Sequence, residues 1–358
     1  MRRRTLIKAG LGLTAMSIPS TRLTKAAVKP KYKWRLVMAV PKTLPIWGEG
    51  VLRFANKIKL LTEGELDIQV FGAGELVQAM DTFEAVKSGK AEMGHSAAYY
   101  WQDKIASASF FCAVPFGLEA TGMRAWLQEG GGQELWNEVY RCHGLKPLPA
   151  GSTSMQMGGW FKKEIHQIKD FQKLKIRMPG LGGKVLAQLG AEPMLLSGAE
   201  ILTQLSSGHI DAAEWVGPYH DYIMGLYKSA SFYYYPGWHE PGPILELMIN
   251  LDAWNKLPKS YQEIVHLVAK EMDGNMSAEW LAKDVQYLNK MSEERQVKFR
   301  EFPTKVLAHL AKISEEVKQS MASSDPQVQK VFKSYSKFQS MYQEHQRITK
   351  QPNFKQFI

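Results

Sequence analysis

The chain has 358 residues, 45% hydrophobic and 22% charged, which is enough for two domains with sizeable cores and excludes wholesale disorder. Its formal net charge is +10, but six basic groups and no acidic one fall in residues 1–27, leaving +4 (10 less 6) for the remainder. No basic stripe interleaved with aromatics and no nucleic-acid motif occurs, so a nucleic-acid partner is excluded.

Residues 1–27 read as a signal peptide. A basic start is followed by a short apolar stretch, Ala9–Ile18, too short to span a bilayer, and by small residues at Ala26 and Ala27. Arg3-Arg4-Thr5-Leu6-Ile7-Lys8 has the twin-arginine export pattern, so the mature protein is expected to begin near residue 28, in the periplasm. The two cysteines, Cys112 and Cys142, lie thirty residues apart with no close Cys or His partner, and read as two small buried hydrophobes.

From residue 28 the pattern alternates strand and helix. Trp34–Val40 alternates as a strand. Val51, Phe54, Ala55, Ile58 and Leu61 mark one face of a helix that stops near Gly64. Leu66–Phe71 is a period-two strand, a helix runs to about Ser88, and Ala91–Ser96 is a third strand. The same series returns. Leu174–Met178 is strand-like, Gly182–Leu189 helical, Ala191–Leu196 an edge strand because of Pro193, Ala199 to Gly208 helical, and Ile210–Glu214 a strand. Ser88-Gly89-Lys90-Ala91-Glu92 and Ser207-Gly208-His209-Ile210-Asp211 match element for element. Two β-α-β-α-β series predict two similar α/β lobes with mostly parallel sheets, facing each other across a cleft at their strand ends. This is a clamshell that closes by hinge motion. The boundaries are lobe 1 at 28–150, lobe 2 at 151–258 with crossover elements, and a helical region at 259–358. In that last region Phe302-Pro303 and Asp325-Pro326 are breaks, and Leu307, Leu310, Ile313 and Val317 form a stripe suited to its own domain or to an oligomer contact.

Four segments carry candidate chemistry. Asp211–Tyr219 places Glu214 at the end of a buried strand beside Trp215, where a carboxylate is costly unless paired or bound to a cation. Tyr233–Pro243 is rich in aromatics and proline, and holds His239, which reads as structural, and Glu240. Ala150–Gly159 holds Gln156 among glycines that allow close approach to a ligand. Lys175–Gly180 holds Arg177, whose planar fork suits a carboxylate. Gly180-Leu-Gly-Gly-Lys184 lacks the spacing of a phosphate loop, and no hydrolase elbow, zinc-protease motif or dinucleotide fingerprint occurs. Glu214 and Glu240 leave a glycosidase pair open as an alternative, although a central arginine suits an anion better than a neutral sugar.

Together with Gly94–Trp101, Ala113–Gly117 and Gly130–Trp136, these segments resemble the solute receptors of tripartite ATP-independent periplasmic (TRAP) transporters. They most resemble the subgroup that binds 2-oxo acids with a metal ion. The resemblance implies a non-enzymatic periplasmic binding protein with the two-lobed fold, a homodimer, and delivery to small and large membrane subunits. It implies that Arg177 grips the substrate carboxylate and that Gln156 reaches both substrate and metal. Glu214 and the Trp215 carbonyl then hold Na⁺ or Ca²⁺, while Glu240, Tyr99 and Tyr100 complete the site. The ligand is a pyruvate-like 2-oxo acid, with a 2-hydroxy acid such as lactate, or a sensory role, as alternatives.

Overall fold

The computed structural model describes residues 29–294 and 297–349, so the export segment read in residues 1–27 lies outside the described residues. The chain builds two α/β lobes, each around its own sheet. In the first, β1 (Tyr32–Met38) leads to α1 (Trp47–Leu61), which turns Val51, Phe54, Ala55 and Ile58 inward at helical spacing. Leu61, expected on that face, is exposed, because it closes the helix at the turn through Thr62 and Gly64. β2 (Leu66–Phe71) pairs with β1 in parallel, from Tyr32↔Leu66 to Val37↔Phe71. α2 (Thr82–Lys87) precedes β3 (Met93–Ser96), which flanks β1 on its other side. A single helical turn, Ala98–Trp101, follows β3 directly. Then come α3 (Ala120–Glu129), α4 (Gly132–Arg141) and β4 (Leu145–Ser152).

The second lobe runs β5 (Gly159–Phe161), β6 (Lys175–Arg177), α5 (Gly180–Ala187), β7 (Glu192–Met194) and α6 (Gly198–Ser207). It continues with β8 (Ala212–Ala213), α7 (Pro218–Ile223) and β9 (Phe232–Tyr235). β6 pairs in parallel with β7 and β8, and Pro193 lies in edge strand β7, where its missing N–H breaks no central ladder. The repeated sequence motif has a repeated cause. Gly89 after α2 and Gly208 after α6 sit at φ +75° and +80°, a left-handed conformation that glycine adopts without strain.

The chain then crosses back. β10 (Ile244–Asn250) inserts antiparallel between β3 and β4, giving the first sheet the order β2-β1-β3-β10-β4. After it come α8 (Leu251–Lys256), α9 (Lys259–Glu294), β11 (Lys298–Glu301), α10 (Thr304–Ser324) and α11 (Pro326–Thr349). β11 joins the second sheet, ordered β11-β9-β5-β8-β6-β7, in which β5 runs antiparallel to β8 and β9. The sheets are therefore mixed, not mostly parallel. Both reversed strands, β5 and β10, are the ones through which the chain arrives from the other lobe.

α9, about 54 Å long at 1.5 Å per residue, packs on β4 and α1 of one lobe and on α7 of the other. The stripe on α10 is spent within the chain. Leu310, Ile313 and Val317 are buried and Leu307 is half-buried, with α10 lying on α5, so this stripe packs largely on its own chain. α11 is capped by Asp325, whose Oδ1 accepts from the N–H groups of Gln327 and Val328, and it packs Val328, Val331 and Tyr335 toward α3 and α4. Both cysteines are free. Cys112 is buried as expected, whereas Cys142 is exposed, at the C-cap of α4. Among the described residues no helix is long and apolar enough to cross a membrane.

The centre of the first sheet holds a buried acid, Glu246 on β10. It accepts from Tyr140 Oη (2.8 Å), Ser96 Oγ (3.3 Å) and Trp101 Nε1. Burial raises its pKa from 4.5 to about 7 against the pull of those donors. Between these values the native state keeps a proton that the unfolded chain has released. The stability contributed by this group is present below pH 4.5 and is lost as pH rises through 7, by up to about 3 kcal/mol. Urea unfolding at pH 5 and pH 7.5 should show a larger loss in the wild type than in Glu246→Gln. Equal losses in the two proteins would contradict this account.

Candidate functional site

Two adjacent strands of the second sheet deliver the central pair. β6 and β8 pair with Arg177 opposite Ala213, and the Glu214 N–H donates to the Arg177 carbonyl (3.0 Å). The two side chains therefore emerge side by side at the strand ends. Arg177 Nη1 donates to Glu214 Oε2 (2.7 Å) and to the Glu214 carbonyl (2.8 Å). Nε donates to the Leu196 carbonyl (3.3 Å), and Nη2 makes a long bond to Tyr100 Oη (3.4 Å). The guanidinium lies over the Trp215 ring, 5.1 Å from its centre. Arg177 is 1% exposed and Glu214 0%. Burial opposes the charge on Arg177, but Glu214, with Tyr100, Tyr99 and Glu240 behind it, outweighs burial and raises its pKa.

The first lobe contributes through the turn Ala98–Trp101. It presents Tyr99 and Tyr100 with perpendicular rings 5.0 Å apart, both buried. Trp47, at the start of α1, stacks on Trp215 at 6.3 Å, and His220 Nε2 meets the Pro45 carbonyl at 2.9 Å, so both lobes hold the loop 214–220. Trp47 was not read from the sequence as part of the site.

The loops after β4 and β9 bring the remaining residues. The Gln156 N–H donates to the Glu240 carbonyl (3.4 Å), and its side-chain Nε2 donates to Thr153 Oγ1 (3.0 Å). Glu240 is buried beside Glu214. Burial first and the Glu214 charge second push its pKa well above the carboxylate range, against the pull of Arg177 and Tyr99. His239, read as structural, lies beside this cluster, with Nε2 3.6 Å from Glu214 Oε1. The glycines that imitate a phosphate loop have a packing role. A Cβ on Gly182 would lie 2.9 Å from His239 Cβ, and one on Gly183 2.4 Å from the Met178 carbonyl.

Gln156, Arg177, Glu214, Trp215, Glu240, Tyr99 and Tyr100 thus converge between the lobes. Their unmet groups are mostly acceptors. Gln156 Oε1, Glu214 Oε1 and Glu240 Oε2 are buried without a hydrogen-bond partner. Glu214, His239 and Glu240 each offer an atom, all within 4.8 Å of one another. Unpaired buried acceptors cost free energy, and a cation among them removes that cost. The residues present therefore fit a bound metal ion.

Two α/β lobes closed over a buried, charged site define an extracytoplasmic solute-binding protein. The profile of bacterial extracellular solute-binding protein family 7 matches residues 37–325, and the chain belongs to this family of TRAP solute receptors, not to an enzyme family. It is 38% identical over 343 residues, 94% of each chain, to a monocarboxylate 2-oxoacid-binding periplasmic protein of Nostoc sp.. Two solved TRAP periplasmic solute-binding proteins each match at 37% identity and a TM-score of 0.87, covering 90% of this chain and 98% of their own. The one from Pseudoalteromonas atlantica has bound sodium and pyruvate, and the one from Colwellia psychrerythraea bound calcium and pyruvate.

The Arg177–Glu214 pair has a stability consequence. Arg177→Leu leaves Glu214 buried without its counter-charge and should cost about 3–5 kcal/mol in ligand-free buffer. Adding Glu214→Gln should recover part of that loss, so the double variant is more stable than the two single losses summed would allow. Additive losses in denaturant unfolding would show that the pair is not coupled.

Proposed function

We propose that this chain is the solute-binding subunit of a TRAP transporter that closes over a small 2-oxo acid such as pyruvate together with a cation. It then hands the acid to the membrane subunits. The observation that carries this reading is the set of orphaned acceptors beside a buried arginine. The relatives of known ligand support the same choice.

Arg177 has donors to spare. Nη1 and Nε serve Glu214 and Leu196, while among the described residues Nη2 has a single long bond to Tyr100. That arm is available to the ligand carboxylate. Glu214, Gln156 and the Trp215 carbonyl are oxygen donors suited to Na⁺ or Ca²⁺. A bound cation would supply a positive centre for the carboxylate and the neighbouring 2-oxo oxygen. Tyr99 and Tyr100 cover the ligand from the first lobe and exclude water.

Acid and cation should strengthen each other by the same factor. Titrating pyruvate calorimetrically after chelation into sodium-free buffer, then with Na⁺ or Ca²⁺ restored, should show weak binding followed by tight binding, and lactate serves as the 2-hydroxy comparison. Arg177→Lys keeps the charge and loses the fork, so pyruvate affinity should fall about tenfold or more. Equal affinity in all buffers would remove the cation, and an unaffected Arg177→Lys would remove the arginine.

Export through the twin-arginine route and a homodimeric mature protein belong to the same proposal. Lysines at Arg3 and Arg4 together should leave the chain in the cytoplasm. The wild type recovered from the periplasmic fraction should scatter light as a dimer. Undiminished export of the variant, or a monomer at micromolar concentration, would remove the corresponding part.

A further inference from the structure

A strained turn of the first lobe meets the second. Ile46, just before α1, has φ +61° and ψ −62°, a conformation that a β-branched residue adopts only at a cost. It folds the Trp47 N–H back onto the Pro45 carbonyl (2.7 Å), and that carbonyl also accepts from His220 Nε2 of the second lobe (2.9 Å). A carbonyl only accepts, so Nε2 carries the ring proton. The His220 ring is buried and clamped, with Tyr219 stacked on it at 5.2 Å and Trp280 of α9 edge-on at 4.8 Å. On the other side of Ile46, Trp47 stacks on Trp215 and is anchored in its own lobe by Nε1, which donates to His95 Nδ1 (3.0 Å). Both neighbours of Ile46 are thus gripped by the second lobe. Among the described residues the Pro45 carbonyl has no hydrogen bond within the first lobe apart from the Trp47 N–H that closes the turn.

We propose that Pro45-Ile46-Trp47 and His220 form a latch between the lobes, strained in the closed form and relaxed when the lobes part. Ile46 and His220 are positioning residues that act on the bound acid through closure. The inference rests on the solute-binding reading above and adds what limits affinity and drives release. A strained backbone persists only where its surroundings over-determine it, and here the gripping contacts come from the other lobe. Parting the lobes gives the Pro45 carbonyl to water and frees its peptide to turn. The His220 bond and the tryptophan stack favour closure, and the strain opposes it. The empty protein therefore reopens, and affinity for the acid is lowered by the fraction of chains that are not closed.

The test uses the whole mature chain with pyruvate and Na⁺ or Ca²⁺. His220→Phe keeps a ring and loses the donor, so pyruvate affinity should fall about three- to tenfold and release should quicken. His220→Gln, whose amide can donate at similar reach, should recover part of that loss. Along Ile46→Val, Ile46→Ala and Ile46→Gly the cost of positive φ falls while packing is lost. Thermal stability should then fall as pyruvate affinity rises, with glycine about threefold or more tighter than alanine. A merely structural role would move affinity down together with stability. Spin labels at Lys90→Cys and Thr203→Cys, exposed on opposite lobes, in a Cys142→Ser background read the ligand-free distance. It should be longer in His220→Phe and shorter in Ile46→Gly than in the wild type. Unchanged affinity and distance in His220→Phe, or no gain from valine through alanine to glycine, overturns the latch. Should the glycine variant not fold, the step from valine to alanine carries the same sign. If the wild type binds no pyruvate with either ion, the solute-binding reading falls, and the ligand-free distances still decide the latch.

Discussion

The site is governed by charge confined where water cannot reach it. Arg177 supplies one buried positive charge, and Glu214 and Glu240 face it as two carboxyls. Three full charges at such a depth leave an uncompensated negative one, which burial penalises heavily. Burial and the Glu214 charge push Glu240 toward its protonated form, which lessens that imbalance. A monocarboxylate entering this site would restore the imbalance. With Glu240 protonated, bringing a monovalent cation with the acid keeps the sum at zero, and a divalent ion keeps it there with Glu240 ionised. On this count the cation of the proposed function would offset the charge of the acid that it accompanies.

Everything around the pair serves to hold it at strand ends. The ladder between β6 and β8 fixes Arg177 and Glu214 through backbone bonds before their side chains meet. β8 is only two residues long, because the chain must leave the sheet at once to present Glu214 and Trp215. Close glycine contacts let α5 lie against the loop of His239. Asp221 anchors the same region from below, accepting from Trp160 Nε1, Tyr233 Oη and the Val216 N–H.

The two-lobed α/β fold was legible because period-two strands, helical spacing and left-handed glycines are local signals, and the Gly89 and Gly208 motifs repeat them. The destination of β10 was not. Ile244–Asn250 reads as a buried strand wherever it pairs, and nothing in it names the first sheet as its partner. That Arg177, Glu214 and Gln156 come together was legible from four unusual segments in order on two repeated lobes and from the resemblance they carry, since a lone strand arginine reads first as a surface ion pair. The places of His239 and Trp47 beside the cluster were not legible, for the opposite reason. A histidine beside tryptophan and proline, or a tryptophan opening a helix, is ordinary core until the other lobe is folded against it. Cys142 was misjudged by residue type, since its exposure follows from its position at the solvent end of α4.

The closed arrangement also constrains how ligand exchange works. Arg177, Glu214 and Trp215 belong to one lobe, whereas Tyr99, Tyr100 and Trp47 belong to the other. Parting the lobes separates these two groups but leaves the Arg177–Glu214 bond intact within its own sheet. Closure is the step that brings the aromatic groups of the first lobe over that pair. Closing without ligand strands Gln156 Oε1, Glu214 Oε1 and Glu240 Oε2, while the aromatic contact of Trp47 with Trp215 and the His220–Pro45 bond favour it. Under the proposed function a cation would satisfy the stranded acceptors, so that its binding together with the acid would favour closure. α9 packs on β4 and α1 of one lobe and on α7 of the other, so it bridges the two across the site.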